Sequence, residues 1–217
     1  MVSDNSLGTP ASASGDRLED PVRRVSTAVR KLTKVVRNFP LTQGCYIFAY
    51  VGQALLKRFH IDAEIHLGYA GWRLGPNSDD AVLHYPSHHT TAIQGSKLWF
   101  AYHAWLCFEG SIVDLTTFQL RMKAKELDGV EGVHTTVTWC PGYLVLPLTS
   151  VLTLSEFRNS TTPGAAYYAR RPQIESFVKE TEKIDRELIQ IGNLLLSRPK
   201  TPILTPHGLV TDADTPE

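Results

Sequence analysis

The chain has 217 residues, with Lys plus Arg and Asp plus Glu both at 22, so it carries no formal net charge. That balance argues against a general binder of nucleic acid or anionic membrane, and no run approaches the ~18 apolar residues of a spanning helix. Three cysteines, at 45, 107 and 140, are odd in number and far apart. This argues against a disulfide framework and fits a reducing compartment. The first residues lack a basic segment followed by an apolar one, so no secretory signal is expected. The expectation is a soluble cytoplasmic protein with neither membrane nor nucleic acid as a partner.

Residues 1–18, rich in Ser, Ala, Gly and Asp, read as a disordered arm. A helix is expected from Asp20-Pro21, with Asp20 as N-cap and Pro21 at the first helical position. Val22, Val25, Val29, Leu32 and Val36 recur three or four apart and form one apolar stripe, opposite a basic face, and Pro40 ends the helix. A second helix is expected from about Thr42–Cys45 to Phe59, with Phe48, Val51, Gly52, Leu55, Leu56 and Phe59 on an apolar arc that includes Cys45.

Residues 61–72 read as a strand with one dry face. Residues 73–96 read as a long connection holding His84, Tyr85, His88 and His89, which suits a substrate-facing lid. Residues 98–108 are apolar or aromatic on both faces, the pattern of a central strand, and 111–115 return beside it. A short helix over 117–127, one or two strands within 133–148, and a loop through Asn159, Pro163 and Gly164 follow. Ile174, Phe177, Thr181, Ile184, Leu188, Ile191 and Leu195 then predict one long heptad helix from Pro172. Its acidic residues complement the basic first helix, so the two terminal helices either pair within the chain or form a homo-oligomer. Residues 198–217 read as a disordered tail. A single α+β domain over 19–197 results.

The informative stretch is the hairpin. With Glu109-Gly110 as a two-residue turn, cross-strand pairs sum to 219, so Asp114 sits opposite Trp105 and diagonal to His103 on one face. Diagonal neighbours lie ~7–8 Å apart, within reach of an imidazole and a carboxylate, while a three-residue loop would put Asp114 on the other face. Trp99 and Trp105 share that face and keep the imidazole dry. Upstream, Cys45 in the first turn of a helix is placed to use the helix dipole, which favours the reactive thiolate.

Gly44-Cys45 opening a helix, then His103-Ala104-Trp105, then Val113-Asp114-Leu115-Thr116, resembles the core of the transglutaminase-like, papain-like cysteine superfamily. The likeness spans about residues 41–116. It implies a papain-like α+β core, with the nucleophile-bearing helix packed on an antiparallel sheet between flanking terminal helices. It also implies Cys45 as nucleophile, His103 as general base and acid, and Asp114 as the orienting carboxylate. The Cys45 backbone N–H, with Gln43 as a further candidate, would serve the oxyanion. The expected activity is hydrolysis of an amide or related acyl bond in a peptide or small acyl substrate, without a cofactor. Transglutaminase- or N-acetyltransferase-like acyl transfer, or a binding module that keeps the fold without turnover, are the alternatives. Trp72, Tyr85, His88, His89, Trp99 and Trp105 are the candidate pocket walls. His84, His88 and His89 have no acid or cysteine partner at metal-ligand spacing, so no metal is expected.

Overall fold

The computed structural model describes residues 13–35, 44–85, 92–94, 97–99, 101–132, 134–199, 202–205 and 208–210. Its first helix, α1 (Ala13–Val35), begins well before the expected cap and carries Pro21 in its interior. Residues 13–18 therefore belong to the helix rather than to a disordered arm, and Leu18 extends the Val22, Val25, Val29 and Leu32 stripe by one turn into the core. The expected helix stop at Pro40 lies outside the described residues.

Helix α2 (Cys45–Leu56) ends in a 3-10 turn at Lys57–Phe59, close to the expected extent. Phe48, Val51, Leu55 and Leu56 are fully buried along the predicted arc. Tyr46 is buried as well.

The fold is α+β. The sheet comprises β1 (Glu64–Arg73), β2 (Ala81–His84), β5 (His103–Phe108), β6 (Ser111–Asp114), β7 (Leu144–Pro147) and β8 (Ala166–Arg170), all antiparallel where paired. β1 is its centre. Gly68 pairs with both His103 and Arg170, and Ala70 with both His84 and Tyr168. One edge of β1 is thus lined by β8, and the other is divided between β5 and β2. Two small hairpins stand apart: β3 (Ala92–Gln94) with β4 (Lys97–Trp99), and β9 (Ile203–Thr205) with β10 (Gly208–Val210).

Several expectations change here. The supposed long connection after residue 73 turns back at once as β2, because Asp80 accepts the Asn77 backbone and side-chain N–H groups and closes a tight turn. The strand expected over 98–108 is two pieces, with β4 pairing to β3 and only β5 joining the main sheet. The 133–148 stretch yields β7 alone among its described residues. The loop before Pro172 contains α4 (Leu154–Asn159), with a Thr153–Glu156 capping box, and β8. The heptad helix is two helices, α5 (Pro172–Thr181) and α6 (Glu187–Ser197). Asp185 interrupts the pattern, its carboxylate accepting the Glu187 N–H at 2.8 Å in competition with helical continuation. The tail contains the β9–β10 hairpin.

The sheet separates two apolar layers. On one face Ala104, Leu106 and Val113 pack with α1, α2 and α6, where Gly192 of α6 lets the backbone approach α2: a Cβ there would lie 3.1 Å from Val51 Cγ1. The terminal helices thus meet within the chain, but through apolar side chains. Glu175, one of the acidic residues of the predicted heptad helix, pairs with Arg170 and Lys179 rather than with the basic first helix. On the other face Ala70, Trp72, Val82, Trp105 and Ile112 pack with Leu120 and Ala124 of α3 (Leu120–Glu131). No helix among the described residues is long and apolar enough to cross a membrane.

Candidate active site

The hairpin register is the one the turn chemistry requires. Leu106 pairs with Val113, Cys107 with Ile112 and Phe108 with Ser111. Glu109 and Gly110 both take positive φ, 44° and 75°, which is the geometry of a two-residue hairpin turn. Asp114 consequently lies on the His103 face, and His103 Nε2 meets Asp114 Oδ2 at 2.8 Å with both side chains fully buried.

The carboxylate is saturated. Thr116 donates to Oδ1 twice, from its backbone N–H at 2.9 Å and its hydroxyl at 2.8 Å. The Tyr168 hydroxyl donates to Oδ2 at 2.8 Å and itself accepts from Trp72 Nε1 at 2.8 Å. Burial alone would raise the Asp114 pKa, but the His103 charge and the hydrogen bonds from His103 and Thr116 hold it well below the usual carboxylate range. The Tyr168 phenol is pushed well up by burial and by the neighbouring carboxylate, so it stays a donor.

The imidazole is enclosed by rings. Trp72 meets it edge-on with centroids 4.8 Å apart, Trp105 lies parallel at 6.2 Å, and His84 is 5.5 Å away. With Nε2 committed to Asp114, Nδ1 is buried and makes no aligned hydrogen bond. The thiol of Cys45 is close enough for this ring to act on its ionisation, although no aligned hydrogen bond joins the two. Burial would lower the His103 pKa, yet the Asp114 charge and hydrogen bond, with a smaller contribution from Cys45, raise it above that of a free imidazole. Burial would likewise raise Cys45, and His103, Lys123 and the Ala104 backbone amide bring the thiol below its ordinary value.

Cys45 reaches this position by an unexpected route. The body of its helix packs on the opposite face of the sheet from His103 and Asp114 rather than against their face. Cys45 is the first residue of α2, at the start of β5, and its sulfur lies 3.9 Å from the Tyr102 carbonyl oxygen. Gly44, with φ −80° and ψ 0°, precedes it without a side-chain cap. The Cys45 N–H is therefore one of the helix N-terminal donors that the helix itself leaves unused.

The remaining candidates divide. Trp72 and Trp105 wall the imidazole. Tyr85 packs on Tyr69 at 5.0 Å, and Tyr69 alternates to the face away from Trp72, so Tyr85 is not part of this enclosure. Trp99 belongs to the β3–β4 hairpin and does not share a strand with His103. Gln43, His88 and His89 lie outside the described residues. No group of three or more His, Cys, Asp or Glu side chains among the described residues is arranged to hold a metal. Cys107 has its pKa raised by burial, and the Cys140 thiol points at the Thr117 carbonyl at 3.4 Å.

Three residues were missed from sequence. Tyr168 was hidden because its strand was read as loop, although Ala166-Tyr-Tyr-Ala169 has strand composition. His84, placed in a lid, is a strand residue whose Nδ1 lies 3.2 Å from the Tyr102 carbonyl. Lys123 stands at a core position of α3, on the stripe of Leu120, Ala124 and Leu127, and that misplaced charge was the available signal.

No family model matches the chain, and no curated protein matches it. Among solved structures it is similar to one described as "The crystal structure of genomics APC5867", at 14% identity and a TM-score of 0.57, over 91% of this chain and 92% of that one. The two share a fold.

Proposed function

We propose that the protein is a cysteine-dependent hydrolase of an amide or related acyl bond. The observation that supports this reading best is the division of the His103 ring. One nitrogen is locked to a buried, saturated carboxylate, and the other is left to a thiol at a helix N-terminus. The same residues carry the resemblance to the transglutaminase-like, papain-like superfamily.

In this mechanism His103 Nδ1 takes the Cys45 proton and the thiolate attacks the substrate carbonyl. The tetrahedral oxyanion is received by the Cys45 N–H. The imidazolium then protonates the leaving amine, the carbon–nitrogen bond breaks, and an acyl thioester remains. Water, deprotonated by His103, attacks the thioester and regenerates the thiol and the acid. Asp114 fixes the tautomer and supports the imidazolium throughout. An amine acceptor in place of water would turn the same cycle into acyl transfer.

The test is the pH dependence of Cys45 alkylation by iodoacetamide, read site by site by mass spectrometry. An activated thiolate keeps its rate well below pH 8, whereas a free thiol of pKa about 8.5 slows roughly tenfold for each unit of pH lost. A Cys45 profile that follows the free thiol would overturn the proposal.

A further inference from the structure

Lys123 is only 6% exposed, yet it forms no hydrogen bond or ion pair among the described residues. Its neighbours on the helix, Leu120 and Ala124, are packed into the layer containing Trp72 and Trp105. The ammonium lies within electrostatic reach of Cys45 and Asp114, and helix α3 packs beside the strand carrying His84. A cation in such a place costs free energy unless something compensates it. Asp114 and Cys45 offset the charge only through space: the Asp114 oxygens are filled by His103, Tyr168 and Thr116, so the ammonium keeps its hydrogen-bond donors to give. Glu126, three residues along the same helix, acts only at a distance.

We propose that Lys123 binds a carboxylate on the acyl side of the substrate, close to the carbonyl that Cys45 attacks. This rests on the reading of Cys45 as the nucleophile. The occupant is an anion because the ammonium has donors and no acceptor to give. It is a carboxylate rather than a phosphate because, among the described residues, one lysine stands here without an arginine fork, and the His103 charge is already committed to Asp114 and Cys45. Phosphate sites gather several donors, whereas a single carboxylate oxygen is served by one ammonium. His84 adds no second positive charge: burial and the nearby Lys123 and His103 hold its pKa well below that of a free imidazole. With Nδ1 donating to the Tyr102 carbonyl, its Nε2 is an acceptor and offers an anion no donor. The preferred substrate class is thus an amide or peptide whose acyl portion bears a free acid.

Two alkylating probes of equal size separate the possibilities. Iodoacetate carries a carboxylate beside its reactive carbon and iodoacetamide does not. The readout is the ratio of their second-order rates at Cys45, at pH 6.5, in the wild-type protein and in Lys123→Met. Methionine keeps length and packing, and near-ultraviolet circular dichroism checks the fold. The His103 imidazolium favours iodoacetate in both proteins, so the difference between ratios isolates Lys123. We expect the wild-type ratio to exceed the variant's by roughly tenfold, a size set by a partly screened charge pair. Equal ratios, with both rates lowered together, would mean that Lys123 supports only the thiolate and would overturn the proposal. A measurement without any variant gives a second check. Succinate should slow iodoacetamide labelling of wild-type Cys45, and succinamide at the same concentration should not; equal protection by the two would overturn the proposal. Failure of the nucleophile reading looks different: both reagents would then label Cys45 in the wild type no faster than a free thiol.

Discussion

Asp114→Asn tests the site at its most constrained point. The Oδ1 end must remain an acceptor, because it receives the Thr116 N–H and hydroxyl at 2.9 and 2.8 Å. The amide NH2 is therefore forced to the Oδ2 end, where it faces His103 Nε2 and the Tyr168 hydroxyl. His103 must then accept at Nε2 and carry its proton on Nδ1, the nitrogen meant to take the thiol proton. The Tyr168 hydroxyl, which already accepts from Trp72, loses its own acceptor. Two charge-assisted bonds weaken by about half, and one buried hydroxyl is left unsatisfied at about 1–3 kcal/mol, so the variant should lose on the order of 3 kcal/mol of stability. For a domain of this size that is a fall in Tm of roughly 6–12 °C.

The loss should depend on pH in a definite direction. The folded-state pKa of Asp114 is depressed, so its contribution is complete above the unfolded value near 4 and fades as pH falls toward the folded one. Urea midpoints of wild type and variant should differ fully at pH 7 and converge below pH 4. In the same samples, Cys45 alkylation at pH 6 should drop by on the order of 10²-fold, the thiolate fraction left to a thiol that reverts to a pKa of about 8.5. An Asp114→Asn protein that folds and alkylates at the wild-type rate would refute the assignment of Nδ1 as the base.

Tyr168→Phe removes one donor to Asp114 and leaves the buried Trp72 N–H without its acceptor, and should cost about 1–3 kcal/mol in denaturant titration while the His103–Asp114 bond persists. Gly68→Ala would place a Cβ 2.0 Å from the Ala169 carbonyl oxygen, so strand β8 must shift; a fall of more than about 2 kcal/mol, with Cys45 reactivity lowered as Tyr168 withdraws, is the expected result. Glu109→Asn relieves a left-handed backbone that asparagine tolerates better, and should raise stability by about 0.5–1 kcal/mol with no change in Cys45 labelling.

The parts of the site that rest on short-range rules were readable from sequence. A two-residue turn and the two-residue period of a strand suffice to bring His103 and Asp114 together. The Cys45 helix follows equally from its apolar arc. What could not be read depends on distant partners. Strand β8 is defined by pairing to β1 about 100 residues earlier in the chain, and its short run of strand-like residues, Ala166 to Ala169, stands between a Pro-Gly loop and the Pro172 helix start without a local partner. With β8 went Tyr168. The heptad run from Ile174 to Leu195 was misleading for a local reason, the capping aspartate at 185, which periodicity ignores. Lys123 is easily passed over because a lysine on a helix is ordinarily a solvated side chain; its place on the Leu120–Ala124 stripe hints otherwise, and the packing of those two residues bears it out.

The thiol lies with the helix layer and the imidazole on the other face of the sheet, and the two come together at the start of β5. Neither helix α2 nor the hairpin alone can create the low-pKa sulfur, so a loosened state that keeps its helices and strands would carry an ordinary thiol. Acid-side alkylation of Cys45 is then a gauge of native packing as well as of chemistry. It should vanish in step with near-ultraviolet rather than far-ultraviolet circular dichroism as the protein is unfolded. A nascent or damaged chain would by the same logic be inert toward acyl groups until its two layers had closed on one another.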